Sequence, residues 1–232
     1  MKYKYPRTFH LPWSLGYASD DKVLKSTQLF ENKNVVVSEK LDGENATIYS
    51  DGYSHARSMD SKHHASRSWL KGLASQLENQ IPQNWRVCGE NLYAFHSIFY
   101  LDLPSYFLVF GVYDDNNFCL PWKETVEFCQ ILDLHTVPVI YEGIWDEDKI
   151  KNAWKGKGAY PTFETKEENP TFPKDFTPCS AEGYVARLAN SFHYDKFEES
   201  VAKMVRENHV QTNEHWMEKP VFPNKLRETI QT

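Results

Sequence analysis

Val35-Val36-Val37-Ser38-Glu39-Lys40-Leu41-Asp42-Gly43-Glu44-Asn45 is the stretch on which the reading of this chain turns. Three β-branched residues specify a strand that stops abruptly at Glu39-Lys40. Asp42-Gly43 then turns the backbone into a second β-type run, Ala46-Thr47-Ile48-Tyr49. An ammonium strongly resists desolvation, so a lysine where a buried strand stops has two readings. Its head reaches solvent while its stem covers apolar surface. Otherwise it is a nucleophile whose pKa, ordinarily about 10.4, is lowered by burial or by cationic neighbours. Gly43 would leave room for a ligand to approach the backbone.

Working outward, Asp51-Gly52 is a hairpin signal that returns the second strand through Tyr53-Ser54-His55-Ala56-Arg57. A two-residue turn there pairs Ala46 with Arg57 and puts Arg57 on the face opposite Asn45. A three-residue loop or a bulge, which a glycine permits, brings both to one face. Upstream, the first thirty residues are irregular and rich in aromatics, with Asp20-Asp21 placed to begin a short helix through Val23-Leu24. Downstream, the spacing of Trp69, Leu70, Leu73, Ala74 and Leu77 predicts a helix over 66–79. Strands follow at 85–92, carrying Glu90 near its end, and at 106–113, a near-continuous apolar run. Pro121 opens a helix, 136–140 is an edge strand because of Pro138, and Asp146 caps a helix to about Lys155. Residues 156–178 read as a surface loop or linker, 181–188 and 201–206 as strands, and the tail from 207 as a terminal helix. Without a regular β-α-β rhythm, the fold class is α+β, antiparallel β-sheets flanked by helices.

With 41% hydrophobic and 25% charged residues over 232 positions, the chain is a soluble globular protein with a substantial core. No apolar run resembles a signal peptide or reaches membrane-span length, so a cytoplasmic, intracellular protein without membrane attachment is expected. Cys88, Cys119, Cys129 and Cys179 form no C-x-x-C pair, so neither a zinc site nor a disulfide framework is indicated. A net charge of −6 excludes a nucleic-acid binder of the basic-domain type. Local basic surface remains available in Lys62-His63-His64 with Arg67 and Lys71, and in Lys149, Lys151, Lys155 and Lys157, though either cluster also reads as an ordinary solvated face.

Four strands each embed one charged residue among apolar ones: Lys40, Glu90, Glu182 and Lys203. Singly, each is explained by an exposed edge or a salt bridge. Together with Arg57 they offer cations to offset charge on phosphate oxygens and carboxylates to hold ribose hydroxyls or metal-bound water. That mixture suits phosphoryl or nucleotidyl transfer.

Lys40-Leu41-Asp42-Gly43 resembles the K-x-D-G nucleophile motif of the covalent nucleotidyltransferase superfamily, which includes polynucleotide ligases and capping enzymes. Its extension through Glu44-Asn45 resembles the ATP-dependent RNA ligases, especially the group similar to T4 RNA ligase 2. The other motifs follow in family order: Arg57-Ser58 is similar to motif Ia, Gly89-Glu90 to motif III, and 108–113 to motif IIIa. Glu182-Gly183-Tyr184-Val185 is similar to motif IV and Lys203-Met204-Val205 to motif V. The resemblance implies a ligase-type adenylyltransferase domain over 1–206, with 207–232 a short helical tail of the same domain and no C-terminal OB-fold. It implies that Lys40 attacks the α-phosphate of ATP and carries AMP as a phosphoramidate. Glu39 and the adjoining backbone at Leu41 would read the adenine, Asn45 the ribose, Arg57 phosphate or ribose, and Glu90 the ribose hydroxyls. Phe110 would stack on the base, Glu182 would hold the hydration shell of Mg²⁺ or Mn²⁺, and Lys203 would contact the α-phosphate. The implied partner is RNA with 5′-phosphate and 3′-hydroxyl ends, with an accessory protein or domain for substrate grip. A capping-type guanylyltransferase, a small DNA ligase, or a nucleotide- or RNA-binding relative without turnover are the alternatives. Many relatives carry a second motif V lysine where this chain has Val205, and Arg206 beside it faces away from Lys203 along a strand.

Overall fold

The triple-valine run forms the second strand of a computed structural model that describes residues 1–60, 64–163, 181–207 and 221–228. In chain order the strands are β1 (Phe9–His10), β2 (Asn34–Lys40), β3 (Glu44–Tyr49), β4 (Ser54–Ala56), β5 (Arg86–Asn91) and β6 (Phe107–Tyr113). They continue as β7 (Phe118–Cys119), β8 (His135–Thr136), β9 (Val139–Ile144), β10 (Gly183–Leu188), β11 (Phe192–His193) and β12 (Val201–Val205). The α-helices are α1 (Ser68–Gln76), α2 (Trp122–Ile131) and α3 (Glu147–Ala153).

Two sheets result. The first runs in the order β1-β12-β10-β2-β9, and the second in the order β11-β7-β6-β5-β3-β4, with β8 paired to β6. Pairings are antiparallel except β1 with β12 and β6 with β8. The expected α+β class with antiparallel sheets is what the chain adopts.

Alternation along β2 explains why the run is apolar on both faces. Val35 and Val37 pack outward with Phe30, Tyr184, Met204 and Trp145, beneath α3. Val36 packs inward with Leu41, Leu92, Leu108 and Tyr100, between the sheets. All three valines are fully buried, each contributing about 1.5–3 kcal/mol. On the far side of the second sheet, Ala46, Ile48, Val87, Val109 and Val112 meet Leu70, Ala74 and Leu77 of the α1 region and Cys129 of α2. The layers are therefore α3, first sheet, inter-sheet core, second sheet, α1 and α2.

Several expectations change. Asp20-Asp21 starts no helix; the Asp21 carboxylate accepts from the Ala18 N–H at 3.0 Å and closes a turn instead. The strand expected over 136–140 divides at Pro138 into β8 and β9, which belong to different sheets; β9 is the sheet edge that the proline indicated. Arg67 is no surface cation, because its guanidinium is buried against Glu44 with Nε 2.7 Å from the carboxylate. Lys62 and His63 lie outside the described residues, while Lys149 and Lys151 are paired with Asp146 and Glu147. The described part of the 156–178 segment is docked rather than free: Thr162 bridges Tyr100, and the remainder beyond 163 lies outside the described residues. Of the expected tail helix, 208–220 and 229–232 are likewise outside, and 221–228 is extended, bridging Ala94 and Leu103. The three described cysteines are free and buried, and no described helix is long and apolar enough to cross a membrane.

Gly183 is where the first sheet is tightest. A Cβ there would fall 1.9 Å from the Met204 carbonyl oxygen on β12. Gly183→Ala is expected to destabilise the fold by more than about 1 kcal/mol, read from urea melts, because β10 and β12 must separate. Ile48→Ala, at a fully buried position, should lose about 2–5 kcal/mol in the same assay.

Candidate nucleotidyl-transfer site

Strand register places the charged residues. β3 pairs with β4 as Ala46↔Ala56 and Ile48↔Ser54, so the connection is a three-residue loop, not the two-residue turn. Gly52, at φ +70°, supplies the left-handed residue that this loop requires. Arg57 therefore falls on the face of Asn45, and Asn45 is directly opposite Glu90 on β5. The row Arg57, Asn45, Glu90 lines a cavity of about 250 Å³ between the sheets.

Phe110 joins that row through a bulge. Gly89 pairs with Val109 and Cys88 with Gly111, leaving Phe110 as the extra residue of β6. The insertion shifts the alternation, so Val109 and Val112 both face α1 while Phe110 and Tyr113 both line the cavity. The Phe110 ring is held edge-on by Tyr5 at 5.2 Å between centroids.

The first sheet supplies the opposite wall. Lys40 is paired with Gly183, and Ser38, Val185 and Lys203 form a cross-strand row beside it. Lys40 Nζ donates to Glu182 Oε2 at 2.7 Å, with the lysine side chain 23% exposed and the carboxylate 8%. Glu182 touches the cavity through this lysine rather than as part of its wall. Glu39 also lines the cavity, and its Oε2 accepts from the Ala159 N–H at 2.7 Å. Leu41 lines the cavity, but its side chain is 2% exposed and belongs to the inter-sheet core. Every predicted site residue is thus at or one contact from a single cleft. Arg206 is not: its guanidinium is bound to the Ala181 carbonyl at 2.8 Å.

The electrostatics correct one expectation. Burial acts to lower the Lys40 pKa, but Glu182, Glu90 and Asp42 override it, so the pKa is raised and the lysine rests as an ammonium. The lysine held low is Lys203, through burial first and then repulsion from Lys40 and Arg57. Burial pushes the Glu90 carboxyl to about 8 and the Glu39 carboxyl to about 7. Among the described residues Lys203 and Arg57 form no ion pair. Glu39 Oε1 and Asn45 Oδ1 are buried without a hydrogen-bond partner. Two uncompensated cations and two unmet acceptors facing one cleft leave room for a polar anionic ligand. No described cluster of three His, Cys, Asp or Glu side chains could hold a metal ion. A divalent cation here would need phosphate oxygens and water for most of its ligands, which suits Mg²⁺ or Mn²⁺ arriving with a nucleotide.

Sequence reasoning missed three contributors. Asp42 is a structural pin: one carboxylate oxygen accepts from Ser97 N, Ser97 Oγ and Ile98 N, each at 2.7 Å. Tyr5, Pro6 and Thr8 line the cavity from an N-terminal segment that reads as irregular. Arg187 reaches across from β10 to the Phe110 and Leu120 carbonyls at 3.2 and 2.7 Å. A charged residue in an otherwise apolar strand was the available signal for Arg187.

In comparison with solved structures, the chain is similar to an archaeal ATP-dependent RNA ligase, with a TM-score of 0.52 and 15% identity over 88% of this chain and 48% of that one. It is also similar to a mutant Naegleria gruberi RNA ligase solved with ATP and Mn, with a TM-score of 0.48 and 16% identity over 78% of this chain and 52% of that one. The chain therefore spans about half the length of these ligases. No curated protein matches it. The family described as RNA ligase matches residues 33–205, a span that runs from the triple-valine strand through motif V and holds every predicted site residue. This chain belongs to the RNA ligase family.

Proposed function

We propose that the chain carries the catalytic chemistry of an ATP-dependent RNA ligase that joins a 5′-phosphate to a 3′-hydroxyl. The observation that carries this reading is the convergence of Lys40, Glu182, Lys203, Arg57, Glu90 and Phe110 on one cleft, within the span matched by the family. The Lys40 amine, once neutral, attacks the α-phosphorus of ATP; the N–P bond forms as the bond to pyrophosphate breaks. A 5′-phosphate oxygen of RNA then attacks the same phosphorus, releasing Lys40. Finally the 3′-hydroxyl attacks the activated 5′-phosphate and AMP leaves.

The residues support each part of that sequence. Lys203 and Arg57, lacking ion-pair partners, are available to offset charge on the α-phosphate. The free Glu39 Oε1 suits the exocyclic amine of adenine, and the free Asn45 Oδ1 suits a ribose hydroxyl. The Phe110 ring offers a stacking face. A bound divalent ion would supply charge neutralisation on the phosphates, with Glu182 holding its water. The resting Lys40–Glu182 pair keeps the nucleophile protonated, so loss of its proton is coupled to relaxation of Glu182's hold.

Incubation with radiolabelled ATP and a divalent cation should yield label on the denatured protein that is absent from Lys40→Ala. Label from GTP instead would favour the guanylyltransferase alternative, and no covalent label under any condition would sink the ligase reading. Nicked RNA duplex, single-stranded RNA and nicked DNA then test the substrate, with joining of RNA expected. Phe110→Ala should weaken nucleotide binding by about 1–3 kcal/mol in a titration while leaving the melting transition largely intact. A stability loss of about 3–5 kcal/mol would instead make the ring a core element.

Glu39 gives a pH test. Its folded carboxyl titrates near 7, above the ordinary carboxylate range, so the folded state holds a proton that the unfolded state releases. The resulting stabilisation is complete below about pH 4.5 and is lost as pH rises through about 7. Glu39→Gln should flatten this slope by up to about 3 kcal/mol between pH 5 and pH 8 in denaturant melts.

A further inference from the structure

We propose that Asp21, acting through His10, is a positioning residue of the nucleotidyl-transfer site, which holds Lys203 in place and keeps it charged. This rests on the reading of Lys203 as an α-phosphate contact. Three observations outside the family motifs carry it. First, β1 lies parallel to β12 with His10 in register with Lys203, and the Leu11 N–H donates to the Lys203 carbonyl at 2.7 Å. Second, His10 is fully buried; its Nδ1 is 2.7 Å from Ser14 Oγ, and its Nε2 lies 3.5 Å from Asp21 Oδ2 with no hydrogen-bond partner. Third, Ser14 Oγ accepts from the Val205 N–H at 2.9 Å, two residues beyond Lys203, and its proton serves His10 Nδ1 in the tautomer that turns Nε2–H toward Asp21, with the Val205 carbonyl oxygen 3.3 Å away.

The order Asp21, His10, Ser14 has the outline of a nucleophile relay, but its chemistry is different. Ser14 is 1% exposed, and its hydroxyl is taken up by the Val205 backbone of β12 and by His10 Nδ1. It cannot meet a substrate, so the chain of contacts is a brace on the strand that carries Lys203. The charge completes the argument. Lys203 is faced by Lys40 from β2, by Arg57 from beyond β4, by Glu182 from the start of β10, and by Asp21 with His10 from the N-terminal segment. Both cations oppose its charge, and Glu182 is engaged by Lys40. Burial keeps the imidazole neutral, with a pKa near 4, so His10 neither adds to the repulsion nor cancels the carboxylate behind it. Among these groups Asp21 is the remaining anion, and it is ionised despite burial because the Ala18 N–H and the Lys203 charge favour the charged form.

The test compares the pH profile of ATP-dependent self-labelling in wild type, Asp21→Asn and Asp21→Glu, with thermal melts confirming folded protein. Asparagine retains an acceptor for the Ala18 N–H but removes the charge. Lys203 should then lose its proton more readily, moving the alkaline limb of the profile to lower pH by about half a unit. The acid limb should stay in place, and glutamate should restore the alkaline one. A profile that Asp21→Asn merely scales down, with its alkaline limb unmoved, overturns the proposal, since a purely structural role predicts that result. Asp21→Ser carries the same comparison if the asparagine variant does not fold. Absence of label in wild type would reject the ligase reading and this inference with it; label in wild type with an unmoved limb rejects this inference alone.

Discussion

A 2.7 Å contact between the Lys40 ammonium and the Glu182 carboxylate is the constraint to which the rest of the structure answers. Neither group could be withdrawn this far from water alone, because the desolvation cost of an isolated ion amounts to several kcal/mol. The two lie more than a hundred residues apart in sequence and meet because Lys40 ends β2 opposite Gly183, the first residue of β10, which Glu182 immediately precedes. The pair forms only when the whole sheet is assembled. It also sets the resting state: burial pushes the lysine toward neutrality, but the surrounding carboxylates push harder.

The remaining charges follow from that arrangement. With Glu182 committed to Lys40, Lys203 and Arg57 face the cleft without an ion pair among the described residues, and Lys203 is held below its ordinary pKa. Glu90, buried near the same pair, is held above the ordinary carboxylate range. The cleft therefore stores uncompensated charge and unmet hydrogen-bonding capacity, features expected of a site that binds a triphosphate and rare in a core that only stabilises. Rigid parts surround it. Asp42 clamps the turn after the lysine, and Arg187 ties the two sheets together through backbone carbonyls.

The N-terminal segment has a larger part than its irregular sequence suggests. It contributes Tyr5 against Phe110, β1 against β12, and the His10–Ser14 contact that fixes the backbone beyond Lys203. Its aromatic and polar residues have no periodicity because they pack into different surroundings one at a time. No pattern rule detects that.

The sequence by itself determined the main elements and marked the candidate site residues. β-Branched runs and helical spacing located the main strands and helices, since these periodicities are local properties of the backbone. Single charges within apolar strands marked Lys40, Glu90, Glu182 and Lys203, because a charge in such a setting requires a partner. Tertiary structure decided the rest. Whether Arg57 shares a face with Asn45 depended on a three-residue loop at Gly52, and Phe110 reached the cleft through a bulge opposite Gly89 and Cys88. Both are one-residue shifts, and with an alternation of period two a single residue moves a side chain to the other face of the sheet. The short strands β1 and β11 are held by partners distant in sequence, β12 and β7. The protonation of Lys40 was likewise undecidable from its neighbours in sequence. Burial and opposing charge act in contrary directions, and only their placement in space determines which prevails.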